Sequence, residues 1–230
     1  MTPRHGEVAP DLLAETLHQR CFWLFAALAL LIVSVPFLEG TATGRIALHF
    51  ASLLVLIAGA AAISRSAGAV IITALLALPT AVFVFLSLAY GQTQLLVLSQ
   101  GFGAAFYVAV TRYLLSYTLQ RDVMTIDKLY GAAAAFLLLG VVWSYLYAIL
   151  LAFYPGALVI NGSPVDALPP SSALYFSFAV LTAVGMSDIL PMHPVARMLC
   201  SLEMITGVLF IAVLIARLAG TYPPRESKLR

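Results

Sequence analysis

The sequence predicts an all-α membrane protein in which six helices cross the bilayer and one shorter helix enters it without crossing. Of the 230 residues, 62% are hydrophobic and only 10% are charged, whereas soluble domains average about 45–50% apolar and about 25% charged residues. The apolar residues fall in long runs, and an apolar stretch too short to cross the bilayer lies between the last two runs. These observations exclude a soluble globular domain.

Six apolar runs are long enough to cross a hydrocarbon core, which needs about 20 helical residues. We assign the spans to residues 22–38, 46–63, 69–90, 95–115, 129–153 and 195–219. The N-terminal segment, residues 1–21, is rich in charged side chains and does not have the pattern of a cleaved signal peptide. We therefore expect the first span to remain in the mature protein.

The basic residues predict the orientation of these spans. With a cytoplasmic N-terminus, only Arg45 and Arg197 of the twelve basic residues lie outside, which satisfies the positive-inside rule. Both termini are then cytoplasmic, and Cys21 and Cys200 lie at different depths, so a disulfide within one subunit is not expected. The net charge of +2 gives no reason to expect a nucleic-acid partner.

The first four spans, residues 22–115, are interpreted as a charge-poor peripheral bundle. A voltage sensor needs basic residues at every third position of its fourth helix, and the fourth span has only Arg112, at one end. We expect a scaffold in which small residues allow close helix contact, namely Gly101, Gly103, Ala104 and Ala105. Residues 116–128 are predicted to form an interfacial linker with an amphipathic coupling helix.

The stretch "SSALYFSFAVLT", residues 171–182, predicts a half-helix that enters the bilayer and stops. Pro169 and Pro170 precede it as a helix-start signal, with Ser171 or Ser172 available as the N-cap. Twelve residues make a helix of about 18 Å, which reaches about half way across. Irregular backbone at that depth is tolerated only if it is buried in protein or lines a water-filled cavity. Residues 129–220 therefore have the plan of a pore module.

The residues of this module resemble the pore domain of the bacterial potassium channel family. The resemblance rests on "DKLYGAAAAFLLLGVVWSYLY", "LYFSFAVLTAVGMSDILP" and "ARMLCSLEMITGVLFIAVLIARLAG". It implies a homotetramer in a bacterial inner membrane that conducts monovalent cations, potassium or sodium, passively through a central pore. It implies no catalytic residue, no resident metal and no other cofactor. With only residues 221–230 after the last span, no soluble ligand-binding domain is expected.

The resemblance places a selectivity filter at residues 182–188, which we call the filter loop. Its residues are Thr182, Ala183, Val184, Gly185, Met186, Ser187 and Asp188. Gly185 and Asp188 match the family pattern. Ala183 replaces a threonine that helps to coordinate the innermost ion, Met186 replaces a tyrosine that packs behind the filter, and Ser187 replaces a glycine with left-handed backbone. These departures predict weakened selectivity for potassium.

Two residues of the last span are candidates for support of the filter. Glu203 lies about 12 Å along this helix, near the level of the filter, and is expected to brace the half-helix or the filter backbone. Gly207, one turn later, resembles the family's hinge glycine, and a plain packing role is equally open. Outside the pore, Asn161, Gly162 and Ser163 match the pattern of a glycosylation acceptor.

Two other functions remain open from the sequence. A channel-like assembly or regulatory protein that does not conduct would share the same segments with a closed filter. A secondary transporter would instead need an internal repeat with two broken helices. Besides the half-helix, the other strong helix-breaking residue is Pro79 in the third span. No cluster of acidic, histidine or cysteine residues has the spacing of an enzyme site, so we do not expect catalysis.

Overall fold

The computed structural model describes residues 20–41, 43–44, 46–48, 51–52, 55, 67–119 and 125–220. The helices with defined bounds are α1 (Arg20–Leu38), α2 (Ala67–Tyr90), α3 (Thr93–Thr118), α4 (Ile126–Phe153), α5 (Pro170–Leu181) and α6 (Pro194–Gly220). The strands are β1 (Leu158–Ile160), β2 (Ser163–Val165) and β3 (Ile189–Pro191). Most of the predicted second span, residues 46–63, lies outside the described residues, as do residues 1–19 and 221–230.

Four of the described helices are long and apolar enough to cross a membrane. They are the stretches Cys21–Leu38, Gln94–Thr118, Ile126–Phe153 and Pro194–Arg217, which correspond to the first, fourth, fifth and sixth predicted spans. The third predicted span forms α2, whose apolar stretch Leu75–Ser87 is shorter. The chain is therefore an integral membrane protein, and the count of six crossings stays a prediction.

The connection between α3 and α4 is shorter than the predicted linker of residues 116–128. α3 continues to Thr118, and α4 already begins at Ile126. The Thr125 side chain accepts the Lys128 N–H at 3.4 Å and caps the start of α4. The ends of the predicted coupling helix therefore extend α3 and α4, and residues 120–124 lie outside the described part of the chain.

α4 lies at the centre of the fold and contacts α1, α3, α5 and α6. One cluster of buried side chains joins α1, α3 and α4, and a second joins α4, α5 and α6 with the strands. The predicted small-residue face is only partly used. Gly103 and Ala104 are buried, and the backbone at Gly103 lies close to the Tyr145 ring, whereas Gly101 and Ala105 are exposed.

A small sheet, which the all-α expectation lacked, lies between α4 and α6. Its order is β2-β1-β3, and both strand pairs are antiparallel. Asn161 and Gly162 form the β1–β2 turn with φ values of 50° and 84°, and positive φ at both positions is what a type I′ hairpin turn requires. The Asn-Gly pair is thus explained by the turn, while its role as a glycosylation acceptor stays untested.

Helix α5 begins without the predicted serine cap. Its N-cap residue is Pro169, with no side-chain cap, and Pro170 occupies the first turn. The Glu39 carboxylate, at the end of α1, accepts the Ser171 N–H at 2.9 Å and also the Ser171 hydroxyl. The expectation of Ser171 or Ser172 as cap was therefore wrong, because a carboxylate from a distant helix satisfies this helix end and its positive dipole.

The other end of α1 is held by the start of α4. Asp127 accepts the Cys21 N–H at 3.0 Å, and its second oxygen accepts the Tyr117 hydroxyl at 2.9 Å. Two carboxylates thus fix α1 at both of its ends, one through α4 and one through α5. Cys21 and Cys200 are buried thiols in different clusters.

Candidate functional site

The filter loop connects two well-held elements. It follows α5, whose Phe176, Val180 and Leu181 are buried in the second cluster. It leads directly into β3, which pairs with β1 from Ile160↔Ile189 to Leu158↔Pro191. Both ends of a seven-residue loop are therefore fixed by packing and by strand pairing, and the loop itself is exposed except at Ser187, which is partly covered.

The loop starts as the continuation of a helix cap. Thr182 ends α5, and its hydroxyl donates to the Phe178 carbonyl at 2.7 Å. The Ala183 N–H donates to Val180 O at 2.9 Å, and the Gly185 N–H donates to Ala179 O at 3.0 Å. These bonds satisfy helix carbonyls in the manner of a Schellman motif. The donor of the second bond, Gly185, lies one residue later in the chain than the donor in that motif.

The left-handed positions of the loop are Ala183, with φ 56°, and Gly185, with φ 66°. The expectation that Ser187 would occupy the strained position was wrong, because Ser187 is not among the described non-glycine residues with positive φ. Its N–H donates to Gly185 O at 3.0 Å, and its Oγ accepts the Ile189 N–H at 3.0 Å. A serine side chain supplies an acceptor at the loop exit that glycine lacks.

The strain at Ala183 leads to a prediction about stability. Left-handed backbone costs an ordinary residue about 1–2 kcal/mol, and a β-branched side chain is disfavoured there more strongly than alanine. We expect Ala183→Gly to keep or slightly raise the melting temperature of the purified protein and Ala183→Thr to lower it. Thermal unfolding of both variants in one detergent tests this, and a higher melting temperature for Ala183→Thr than for Ala183→Gly would contradict it.

The middle of the loop carries apolar side chains at the surface of the single chain. Val184 is 61% exposed and Met186 is 73% exposed. The Met186 carbonyl accepts the hydroxyl of Tyr175, a residue of α5, at 2.5 Å. The Asp188 side chain is exposed, and its backbone carbonyl accepts the Asn161 N–H at 3.4 Å. Tyr175 was not singled out in the sequence, because nothing in its local pattern marks a contact eleven residues away.

Glu203 is fully buried between three helices. Its carboxylate accepts the Tyr147 hydroxyl from α4 and the Ser177 hydroxyl from α5, the latter at 2.6 Å. Ser177 Oγ also lies 2.8 Å from Gly140 O, and Tyr147 Oη lies 3.4 Å from Cys200 Sγ. Among the described residues, Glu203 therefore hydrogen-bonds to side chains of α4 and α5 and not to the backbone of the filter loop. Tyr147 and Ser177 were not predicted as its partners.

At Gly207 the backbone of α6 lies directly against the end of α5. A Cβ atom at this position would lie 1.8 Å from the Leu181 carbonyl oxygen. At Gly140 of α4, a Cβ atom would lie 2.4 Å from the Phe178 ring. These two contacts favour the packing role for Gly207, since both glycines let the neighbouring helices lie directly against α5.

Comparison with known proteins agrees with this arrangement. A family model described as "Ion channel" matches residues 129–222, which include α4 from Leu129 onward, the sheet, α5, the filter loop and α6. Comparisons with curated proteins and with solved structures gave no match. The match supports an ion channel function for the segment that contains the filter loop, Glu203 and Gly207.

Proposed function

We propose that the chain is one subunit of a homotetrameric cation channel in a bacterial inner membrane, with both termini in the cytoplasm. The filter loops of four subunits meet around a central axis, with Gly185 of each subunit near that axis. Potassium or sodium ions pass through this loop by passive conduction, and the subunit's partners are other copies of the chain and lipid. The family match over residues 129–222 supports this proposal.

The observation that carries the proposal is the exposed filter loop at the end of a half-helix. Val184 and Met186 are exposed in the single chain, although both are apolar. Irregular backbone within a membrane must be enclosed by protein or line a watery cavity, and one loop cannot enclose a path. Symmetric copies of the same loop around an axis meet both requirements.

The charge distribution around α5 favours cations over anions. The carbonyl end of a helix carries partial negative charge, and α5 directs that end at Thr182 and the start of the filter loop. The opposite, positive end of α5 is already neutralised by Glu39. Asp188 adds an exposed carboxylate at the far end of the loop. An ion attracted to this loop is therefore a cation.

Discrimination between potassium and sodium is proposed to be weak. Ala183 lacks the hydroxyl oxygen that the family places there, which removes one ligand from each subunit. Met186 is flexible and exposed, so it constrains the loop less than a packed aromatic ring would. Selectivity depends on the fit or the number of coordinating oxygens, and both are reduced here.

The two alternative functions, a secondary transporter and a non-conducting assembly, would require different structures. A transporter with two broken helices is not favoured by α2, which continues as one helix from Ala67 to Tyr90 across Pro79. A non-conducting assembly would keep the fourfold particle without any flux. Measurements of stoichiometry and flux on the same protein therefore separate this sealed assembly from the proposed channel.

The test combines the stoichiometry of the purified protein with cation flux in liposomes. We expect a tetramer by native mass spectrometry, flux of both potassium and sodium, and no flux of N-methyl-D-glucamine. Gly185→Ala should reduce flux strongly, because a side chain at φ 66° strains the backbone in the loop through which the ions are proposed to pass. Gly91→Ala is the matched control, since Gly91 has φ 64° and both sites have open space around them.

Three outcomes would contradict parts of the proposal. A stable monomer or dimer would overturn the channel assignment as a whole. A tetramer without flux would favour the sealed assembly. Equal loss of flux in Gly185→Ala and Gly91→Ala would remove the filter loop from the ion path, because the backbone penalty alone would then explain both results.

A further inference from the structure

The carbonyl oxygens of the filter loop differ in what they bind. The Gly185 carbonyl accepts the Ser187 N–H at 3.0 Å, and the Met186 carbonyl accepts the Tyr175 hydroxyl at 2.5 Å. Among the described residues, no hydrogen bond is accepted by the carbonyl of Ala183 or Val184. The carbonyls of Ala183 and Val184, in the half of the loop near α5, are thus available to bind an ion. Those of Gly185 and Met186, nearer β3, accept hydrogen bonds from the chain itself.

Tyr175 is well placed to hold the Met186 carbonyl. It lies on α5 beside Phe176 and Ser177, both buried, so the helix segment that carries it is fixed. Its own side chain is 52% exposed and crosses to the loop. An O–H···O distance of 2.5 Å is at the short end of the normal range, so the carbonyl of Met186 is directed at the Tyr175 hydroxyl.

We propose that Tyr175 is a positioning residue that sets ion specificity by withdrawing the Met186 carbonyl from the ion path. This inference rests on the proposed channel function. In the tetramer, the ring of oxygens at the level of Met186 is then absent, and ions are coordinated by the residues nearer α5. A filter with fewer carbonyl rings discriminates less between cations of different size.

Removal of one hydroxyl tests the inference. Tyr175→Phe keeps the ring and frees the Met186 carbonyl, and we expect the potassium-to-sodium permeability ratio to rise at least about threefold, because a further ring of oxygens becomes available. The ratio is measured from the reversal potential with potassium on one side and sodium on the other. Tyr90→Phe is the matched control, because Tyr90 is exposed at the end of α2 and outside the matched segment. An unchanged ratio in a conducting Tyr175→Phe channel would overturn the inference.

A second measurement does not require flux. Crystals of the tetramer grown with rubidium should show anomalous density near Thr182 to Val184 and none between the Gly185 and Met186 carbonyls. Tyr175→Phe should gain a peak at that level. A rubidium peak there in the unaltered protein would overturn the inference even if the channel function holds. A particle that is not a tetramer would instead refute the proposed function, and this inference would fall with it.

Discussion

Gly207→Ala is expected to prevent stable assembly of the pore module. The new methyl group would lie 1.8 Å from the Leu181 carbonyl oxygen, and this neighbour is backbone at the end of α5 that cannot rotate away. α6 must therefore shift relative to α5, at a cost of about 3 kcal/mol or more for a severe overpacking. Size-exclusion chromatography should show a loss of the proposed tetramer, and thermal unfolding should show a large fall in melting temperature.

Gly101→Ala is the matched control for this experiment. Gly101 also lies inside a helix that is long and apolar enough to cross a membrane, but it is exposed, and a Cβ atom added there would have nothing within 4 Å. Alanine is favoured over glycine in a helix by about 0.5–1 kcal/mol, so this variant should be as stable as the unaltered protein. Equal stability of the two variants would contradict the close contact at Gly207. A stable Gly207→Ala tetramer that has lost flux would instead support the hinge role.

Glu203→Leu is expected to destabilise the proposed tetramer strongly. Leucine removes the acceptor that Tyr147 and Ser177 share. Ser177 still has the Gly140 carbonyl, but among the described residues Tyr147 keeps only the Cys200 sulfur, which is a weak acceptor. A buried hydroxyl without a good partner costs about 1–3 kcal/mol, in every subunit. The tetramer fraction after mild heating, measured by size-exclusion chromatography, should fall clearly below that of the unaltered protein.

Two further variants show whether hydrogen bonding is the cause. Glu203→Gln should lower the stability only slightly. Its amide oxygen can accept from the Tyr147 hydroxyl, and its NH₂ can donate to Ser177 Oγ, while the Ser177 hydroxyl donates to the Gly140 carbonyl. Adding Tyr147→Phe to Glu203→Leu should recover part of the lost stability, since the stranded hydroxyl is gone. Equal damage from Gln and Leu, or no recovery in the double variant, would contradict the bracing role.

The sequence predicted the half-helix well, because its limits depend on local chemistry. Pro169 and Pro170 mark its start, and the mainly apolar stretch of twelve residues that follows is too short to cross a bilayer. Predicted residues 171–182 compare with Pro170–Leu181 in the structure. The same local logic predicted α6 to within one residue of its start at Pro194, whereas the filter loop was placed by the family resemblance and stays a prediction.

Contacts between distant residues were not predictable in this way. Glu39 caps α5 across 132 residues of sequence, and no local pattern connects the two. The left-handed backbone at Ala183 follows from how the loop closes the end of α5, so the family pattern wrongly placed the strain at Ser187. The β1–β2 turn is a different case, since Asn161 and Gly162 are a strong hairpin signal that was interpreted only as a modification site.

The carboxylate contacts at both ends of α1 determine whether the pore segment can be transferred to another protein without loss of stability. The matched residues 129–222 include α5 but exclude two carboxylates that bind across this boundary. Glu39 accepts a hydrogen bond from the first turn of α5, and Asp127 accepts one from the first turn of α1. A graft of this segment onto foreign peripheral helices would leave the Ser171 N–H without its acceptor and the positive end of α5 without a counter-charge. The smallest exchangeable cassette therefore includes α1 together with the pore, and a chimera joined at residue 129 divides a single structural unit.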